Sequence, residues 1–272
     1  MLQTQQQLSS SCANWQVLVA YGEISIQEES RQMQLPQGMA YGWWHFSQQD
    51  LRSLAFSVRL AGNLSRYPGR YLQLYQGHIG DTGFYLGFQT DVARPGAGGQ
   101  GHGLIFSRWG TRDSSNARPV ADGWVENADH EGDFIGVRAL LDWKSDDFFC
   151  ELRPVGTETA GTWFEFCVEC KSDGKSFSAG SLRFPNWNIR SGGVSWTEVY
   201  SHAASEDSVP NTEMTVLEVT ADDGRILPIR CDTTYNESFR SSNAYVCGRS
   251  LVLQSGAGVQ RTHPACSYSL QA

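Results

Sequence analysis

The sequence predicts an all-β fold, an antiparallel two-sheet β-sandwich of jelly-roll or concanavalin-like form, and three observations carry that expectation. Apolar and aromatic runs of strand length recur at short spacing, with glycine and small polar residues between them. Several runs alternate strictly: in SLAFSVRL, Leu54, Phe56, Val58 and Leu60 share one face, while Ser53, Ala55, Ser57 and Arg59 share the other. No segment carries a sustained helical period with capping residues. At 272 residues the chain is long enough for one large core and is expected to form a single domain, 1–272.

Taken in order, strands are expected at 15–27 (WQVLVAYGEISIQ), 53–60, 70–76, 83–90 and 103–109, the last three punctuated by glycine turns. Further strands follow at 133–142, 147–153, 162–170, 176–183, 193–200, 213–220 and 226–231, with short pieces near 244–254. In TWFEFCVE, Phe164, Phe166 and Val168 form the apolar side, and Trp163 shares the opposite side with Glu165. SQQDLRS (47–53) could supply one helical turn. Two long loops stand out: glycine-rich ARPGAGGQG (93–101), and residues 110–133, which carry Trp124 and end in acidic residues. Composition shifts near Ala221–Asp223, so 221–272 reads as a cysteine-containing appendage of the same domain.

Charge and hydropathy exclude some functions. The net charge is −8 and no basic run exists, which argues against nucleic acid as a partner, because phosphate affinity needs clustered Lys and Arg. No stretch reaches the roughly 18 apolar residues of a membrane span, so no membrane insertion is expected. The opening MLQTQQQLSSSCANW lacks a charged and then apolar leader, so export takes another route or the leader is already gone. Seven cysteines are many for a cytosolic β-protein and favour an extracellular location. Cys231, Cys247 and Cys266 fall in the turn-rich tail, where at least two are expected to be cross-linked to compensate for a thin core. Cys167 and Cys170 have half of a zinc-site spacing, but three residues apart on a strand they face opposite sides, so no metal site and no mutual bond is expected. Asn63 and Asn236 begin glycosylation tripeptides.

The run Tyr85-Leu-Gly87-Phe-Gln89, then Ile105-Phe-Ser107-Arg-Trp109, then Glu131-Gly132 ahead of Trp143, resembles the family known as domain of unknown function 3472. The WFEF strand and the SWTEVY strand at Trp196 continue the similarity, which covers about residues 40–200. The resemblance implies a jelly-roll or concanavalin-like sandwich found with extracellular, carbohydrate-related domains. It supplies no catalytic residue, and the cysteine-containing tail departs from the pattern.

Nine tryptophans are the strongest functional signal. Sugar rings present an apolar face, so their sites pair flat aromatic platforms with carboxylates and amides. Trp43-Trp44, Trp109, Trp124, Trp187 and Trp196 are candidates, with Gln73, Gln89, Asn186, Asn188 and Arg108 as polar companions; Trp15, Trp143 and Trp163 fit a packing role. An extracellular protein binding glycan or polysaccharide is therefore expected. The alternative is a glycoside hydrolase or polysaccharide lyase, which needs paired carboxylates; Glu151 and Glu198 stand out because each sits in an aromatic strand. A structural or protein-interaction domain is the third reading. No cofactor is required, although Asp81, Asp91 or the acidic loop Asp122–Asp133 could hold calcium.

Overall fold

A computed structural model describes residues 37–62, 69–128, 132–199 and 206–270. The strand expected at 15–27, with Trp15 and Cys12, lies outside the described residues, as do Asn63, His130 and Glu131.

The described chain folds as two packed antiparallel sheets. The main strands are β1 (Gln37–Phe46), β2 (Leu54–Gly62), β3 (Arg70–Ile79), β4 (Thr82–Gln89), β5 (Gly103–Trp109), β6 (Trp124–Ala128), β7 (Phe134–Leu140) and β8 (Asp146–Glu158). They continue as β9 (Gly161–Cys170), β10 (Ser176–Phe184), β11 (Gly193–Val199), β12 (Thr212–Ala221), β13 (Pro228–Tyr235), β14 (Ser242–Cys247), β15 (Ser250–Ser255) and β16 (Cys266–Ser269). The larger sheet runs β6-β7-β5-β4-β3-β11-β1-β13-β16; the smaller runs β14-β15-β12-β2-β8-β9-β10 and ends on the two-residue strand Ala117–Arg118.

Alternation explains which face is core. Leu54, Phe56, Val58 and Leu60 on β2 are buried, as are Phe164, Phe166 and Val168 on β9, and they meet Leu72, Phe84, Leu86, Phe106 and Trp44 from the larger sheet in one cluster. Gly42 on β1 marks a close approach of the sheets, since a Cβ there would lie 2.1 Å from Leu251 Cδ2 on β15. Inside the larger sheet, a bulge at Gln73–Tyr75 of β3 faces Gly87 of β4. A Cβ on Gly87 would lie 2.4 Å from the Leu72 carbonyl oxygen and 2.8 Å from the Leu74 nitrogen, and neither backbone atom can move without breaking the ladder. Gly87→Ala is expected to destabilise the protein by about 3 kcal/mol, as overpacking against backbone does; urea unfolding checks this.

Four expectations are corrected. Residues 221–272 are no appendage: β13 pairs with β1 inside the larger sheet, and β14 and β15 extend the smaller one beside β12. The tail is held by ladders and by Cys231, Leu251 and Leu253 in the common core. The tail cross-link is also absent, because Cys231, Cys247 and Cys266 are all free, as are Cys150, Cys167 and Cys170. On β13 and β16, Cys266 opposes Thr233 and Cys231 opposes Tyr268. That two-residue offset separates their Cα atoms by about 8 Å, beyond the ~7 Å a disulfide spans. Third, 47–53 forms no helical turn; Asp50–Leu51 pairs instead with Ile189–Arg190. Fourth, the 110–133 loop is not structureless: it holds a 3-10 turn at Ser114–Asn116, the strand Ala117–Arg118, and β6. Asp113 caps the turn by accepting the Ser115 N–H at 2.9 Å.

Candidate functional site

The outer face of the larger sheet carries the residues the core does not use. On β11, Ser195, Thr197 and Val199 are buried inward, so Trp196 and Glu198 point outward. On β1, Ala40 and Trp44 are in the core, leaving Tyr41, Trp43 and His45 on the outer side. The register sets Tyr41 directly opposite Trp196, and Trp43 opposite Val194. Three rings result: Tyr41 and Trp43 stack with centroids 6.2 Å apart at 27°, and Tyr41 lies 6.4 Å from Trp196 at 40°. Trp43 keeps 38% of its surface exposed.

Hydrogen bonds hold these rings in place. Trp43 Nε1 donates to Thr234 Oγ1 at 2.8 Å, and Trp196 Nε1 donates to Glu198 Oε2 at 3.0 Å. Tyr41 leans over Gly38, where a Cβ would lie 2.2 Å from its phenolic oxygen, so a larger residue there would push the ring out of its place. Beyond Trp196 the same row continues to Gln73 on β3, which donates to the Leu86 carbonyl at 2.9 Å. Beyond Glu198 it continues to Tyr71 and then Gln89, whose amide donates to the Tyr71 hydroxyl at 2.9 Å.

Burial, and then the neighbouring Glu198 carboxylate, push the Tyr41 phenol up to about 12. Burial also raises Tyr75 in the core. Both phenols favour the neutral form when folded, so their contribution is complete below the unfolded value near 10 and is lost as pH rises through the folded values. Unfolding free energy is expected to fall between about pH 10 and 12, and Tyr41→Phe should flatten part of that fall in urea titrations.

Of the residues expected at the site, Trp43, Trp196, Glu198, Gln73 and Gln89 come together, the two glutamines buried. The others lie elsewhere, Trp44 in the core directly behind Trp43. Trp124 is on the same outer face but packs beneath the 93–101 segment, donating Nε1 to the Ala93 carbonyl at 2.9 Å, with Val92 and Ile105 against it. Nearby, Arg138 is buried, reaching Glu126 at 3.0 Å and Ser107 Oγ at 2.8 Å. Trp109 packs on Tyr85 at 5.1 Å, about 20 Å from Trp196 by strand spacing and rise. Trp187 is 50% exposed in the 185–188 loop, 5.6 Å from the Arg52 guanidinium. Arg108 turns inward, donating to the Arg183 carbonyl and lying 5.0 Å from the Phe184 ring; burial, and then Arg183, lower it to about 10. It ties the two sheets and faces no solvent. Trp143 is in the core, and Trp163 lies under Arg118 at 3.7 Å, both in the packing role expected.

Glu151 sits on the outer face of the smaller sheet, between the buried Cys150 and Leu152, and pairs with Arg153 at 3.1 Å. Glu198 is on the outer face of the larger sheet, so the whole core separates these carboxylates. They cannot act on one glycosidic bond, which needs acids about 5–10 Å apart. Asp81 pairs with Arg190. Among the described residues, no three His, Cys, Asp or Glu side chains converge as a metal centre.

Sequence reasoning missed β1 as a strand, and with it Tyr41 and His45. The signal was present: from Ala40 to His45 small or core residues alternate with aromatic ones, and Gly38 before the run and Gly42 within it disguise it.

No protein-family model matches this sequence. No curated protein matches it either. Among solved structures, the chain is similar to scytalido-glutamic peptidase with a transition-state analogue inhibitor, at 10% identity and a TM-score of 0.45, over 82% of this chain and 100% of that one. A second structure of that peptidase, with a peptide-based transition-state analogue, gives 11% and 0.44 over the same shares. SCP-B, an eqolisin-family peptidase bound to the tripeptide Ala-Ile-His, gives 11% and 0.42, again over 82% and 100%. Likeness at this level says nothing about the chemistry of this chain.

Proposed function

We propose that this is a carbohydrate-recognising protein that binds glycan on the outer face of its larger sheet, over Tyr41, Trp43 and Trp196. The observation that carries the reading is the row of three outward rings, held by Thr234 and Glu198, with Trp43 left 38% exposed. Flat aromatic surface beside the Glu198 carboxylate and the Thr234 hydroxyl matches a sugar ring, whose CH face is apolar and whose rim is hydroxyl, while the Gln73 and Gln89 amides of the same row are buried and bonded within the protein. An extracellular location belongs to the proposal, and the free thiols lend it no support.

A glycosidase working through Glu151 and Glu198 together does not fit their placement. A glycan array run beside a reducing-sugar release assay tests the proposal. Retention of glycan without release, weakened in Trp43→Ala, is the expected result. Silence in both assays would overturn it, and sugar release lost in Glu198→Gln would replace it with an enzyme built on the same face.

A further inference from the structure

Resting on the glycan reading, we infer that the site takes a linear oligosaccharide laid along β1, and that His45, Asp232 and Arg230 form a polar subsite beyond Trp43. The outward residues of β1 continue past the aromatic row. His45 follows Trp43 on the same face, and across the ladder Trp43 opposes Asp232 while His45 opposes Arg230. Between the register position of Glu198, opposite Gly38, and that of His45, the bulge at Gly38/Ala40 takes up one residue and leaves six ladder steps, or about 20 Å, enough for about four pyranose rings end to end.

The far end of this strip is a connected polar cluster. His45 Nε2 meets Asp232 Oδ2 at 2.7 Å, and Arg230 Nε meets Asp232 Oδ1 at 3.2 Å. Ser267 Oγ donates to Asp232 Oδ1 at 2.5 Å, and Arg230 Nη2 lies 3.2 Å from His45 Nε2. Burial opposes ionisation of Asp232, yet the bonds from Ser267 and His45 prevail and hold its carboxyl below the usual range.

All three side chains still reach solvent, at 36% for His45, 29% for Asp232 and 50% for Arg230. A carboxylate beside a guanidinium and an imidazole offers acceptor and donors together, which is what the adjacent hydroxyls of one sugar require. Because protein contacts already orient these groups, little order has to be imposed when ligand arrives. Trp43, fixed by Thr234, joins this cluster to the aromatic row. The rings thus supply stacking area, and the cluster reads the hydroxyls of the unit extending past them.

Isothermal titration with cello-, chito- and manno-oligosaccharides of two to six units tests this. In the wild type, affinity for the preferred series is expected to rise at least tenfold from two units to four. In Arg230→Ala, and independently in His45→Gln, the ratio of four-unit to two-unit affinity should fall towards one. A length-independent affinity in the wild type, or an unchanged ratio in both folded variants, would overturn the subsite while leaving the glycan reading in place. Binding of no oligosaccharide at any length would overturn both.

Discussion

Trp43→Ala and Trp196→Ala, made together, are expected to abolish measurable glycan binding while the protein stays folded. Central aromatic anchors cost about 2 kcal/mol or more when truncated, or roughly thirtyfold in affinity each. Removing two of three rings also removes the continuity of the platform, so a loss of several hundredfold is the expected scale. The fold should tolerate the change, because both rings lie on the outer face and the inward neighbours Trp44, Ser195 and Thr197 keep the core intact. Titration calorimetry with the glycan retained on the array measures the first effect, and thermal unfolding measures the second.

The adjacent tryptophan should behave in the opposite way. Trp44 is 1% exposed, and its Nε1 donates to Ser195 Oγ at 2.9 Å, which in turn donates to the Leu74 carbonyl at 2.5 Å. Trp44→Ala would open a large cavity between the sheets and leave the buried Ser195 Oγ without its donor, at a cost of about 4 kcal/mol. For a chain of this size that lowers the melting temperature by about 10 °C. Glycan binding, measured at a temperature where the variant is folded, should change less than in Trp43→Ala. Two neighbours in sequence would then separate binding from stability, because strand alternation sends one out and the other in.

That alternation is also why the fold was legible. Leu54, Phe56, Val58 and Leu60 declare their inward face through a strict period of two, and Phe164, Phe166 and Val168 do the same. Bulges, glycines and pairing distant in sequence obscured the rest. β1 carries Gly38 and Gly42 for reasons local sequence cannot show: one makes room for the Tyr41 phenol, the other for Leu251 on the opposite sheet. The tail looked thin because β13 draws its support from β1, some 190 residues away at Trp43 and Thr234, and β16 is held in turn by β13.

The site divided along the same line. Trp196 and Glu198 could be named from their strand, since an indole and a carboxylate at alternate positions leave one face apolar-aromatic and polar together. Their partners Tyr41 and Trp43 come from the other end of the chain. Trp124 and Arg108 show the converse: sequence marks them as polar or loop-borne, and only the fold reveals the Ala93 carbonyl that holds one and the Arg183 carbonyl that holds the other. Glu151 and Glu198 look equivalent in sequence, and the sandwich puts them on opposite outsides.

Indole N–H spectra of 15N-labelled protein test the central claim most directly. The chain has nine tryptophans, whose signals can be assigned by single substitutions. On titration with the glycan retained on the array, the Trp43 and Trp196 signals should shift together and saturably, while those of Trp109, Trp124 and Trp187 stay in place. Saturable shifts at Trp187 or Trp109, with Trp43 and Trp196 unmoved, would contradict the assignment of this face as the site.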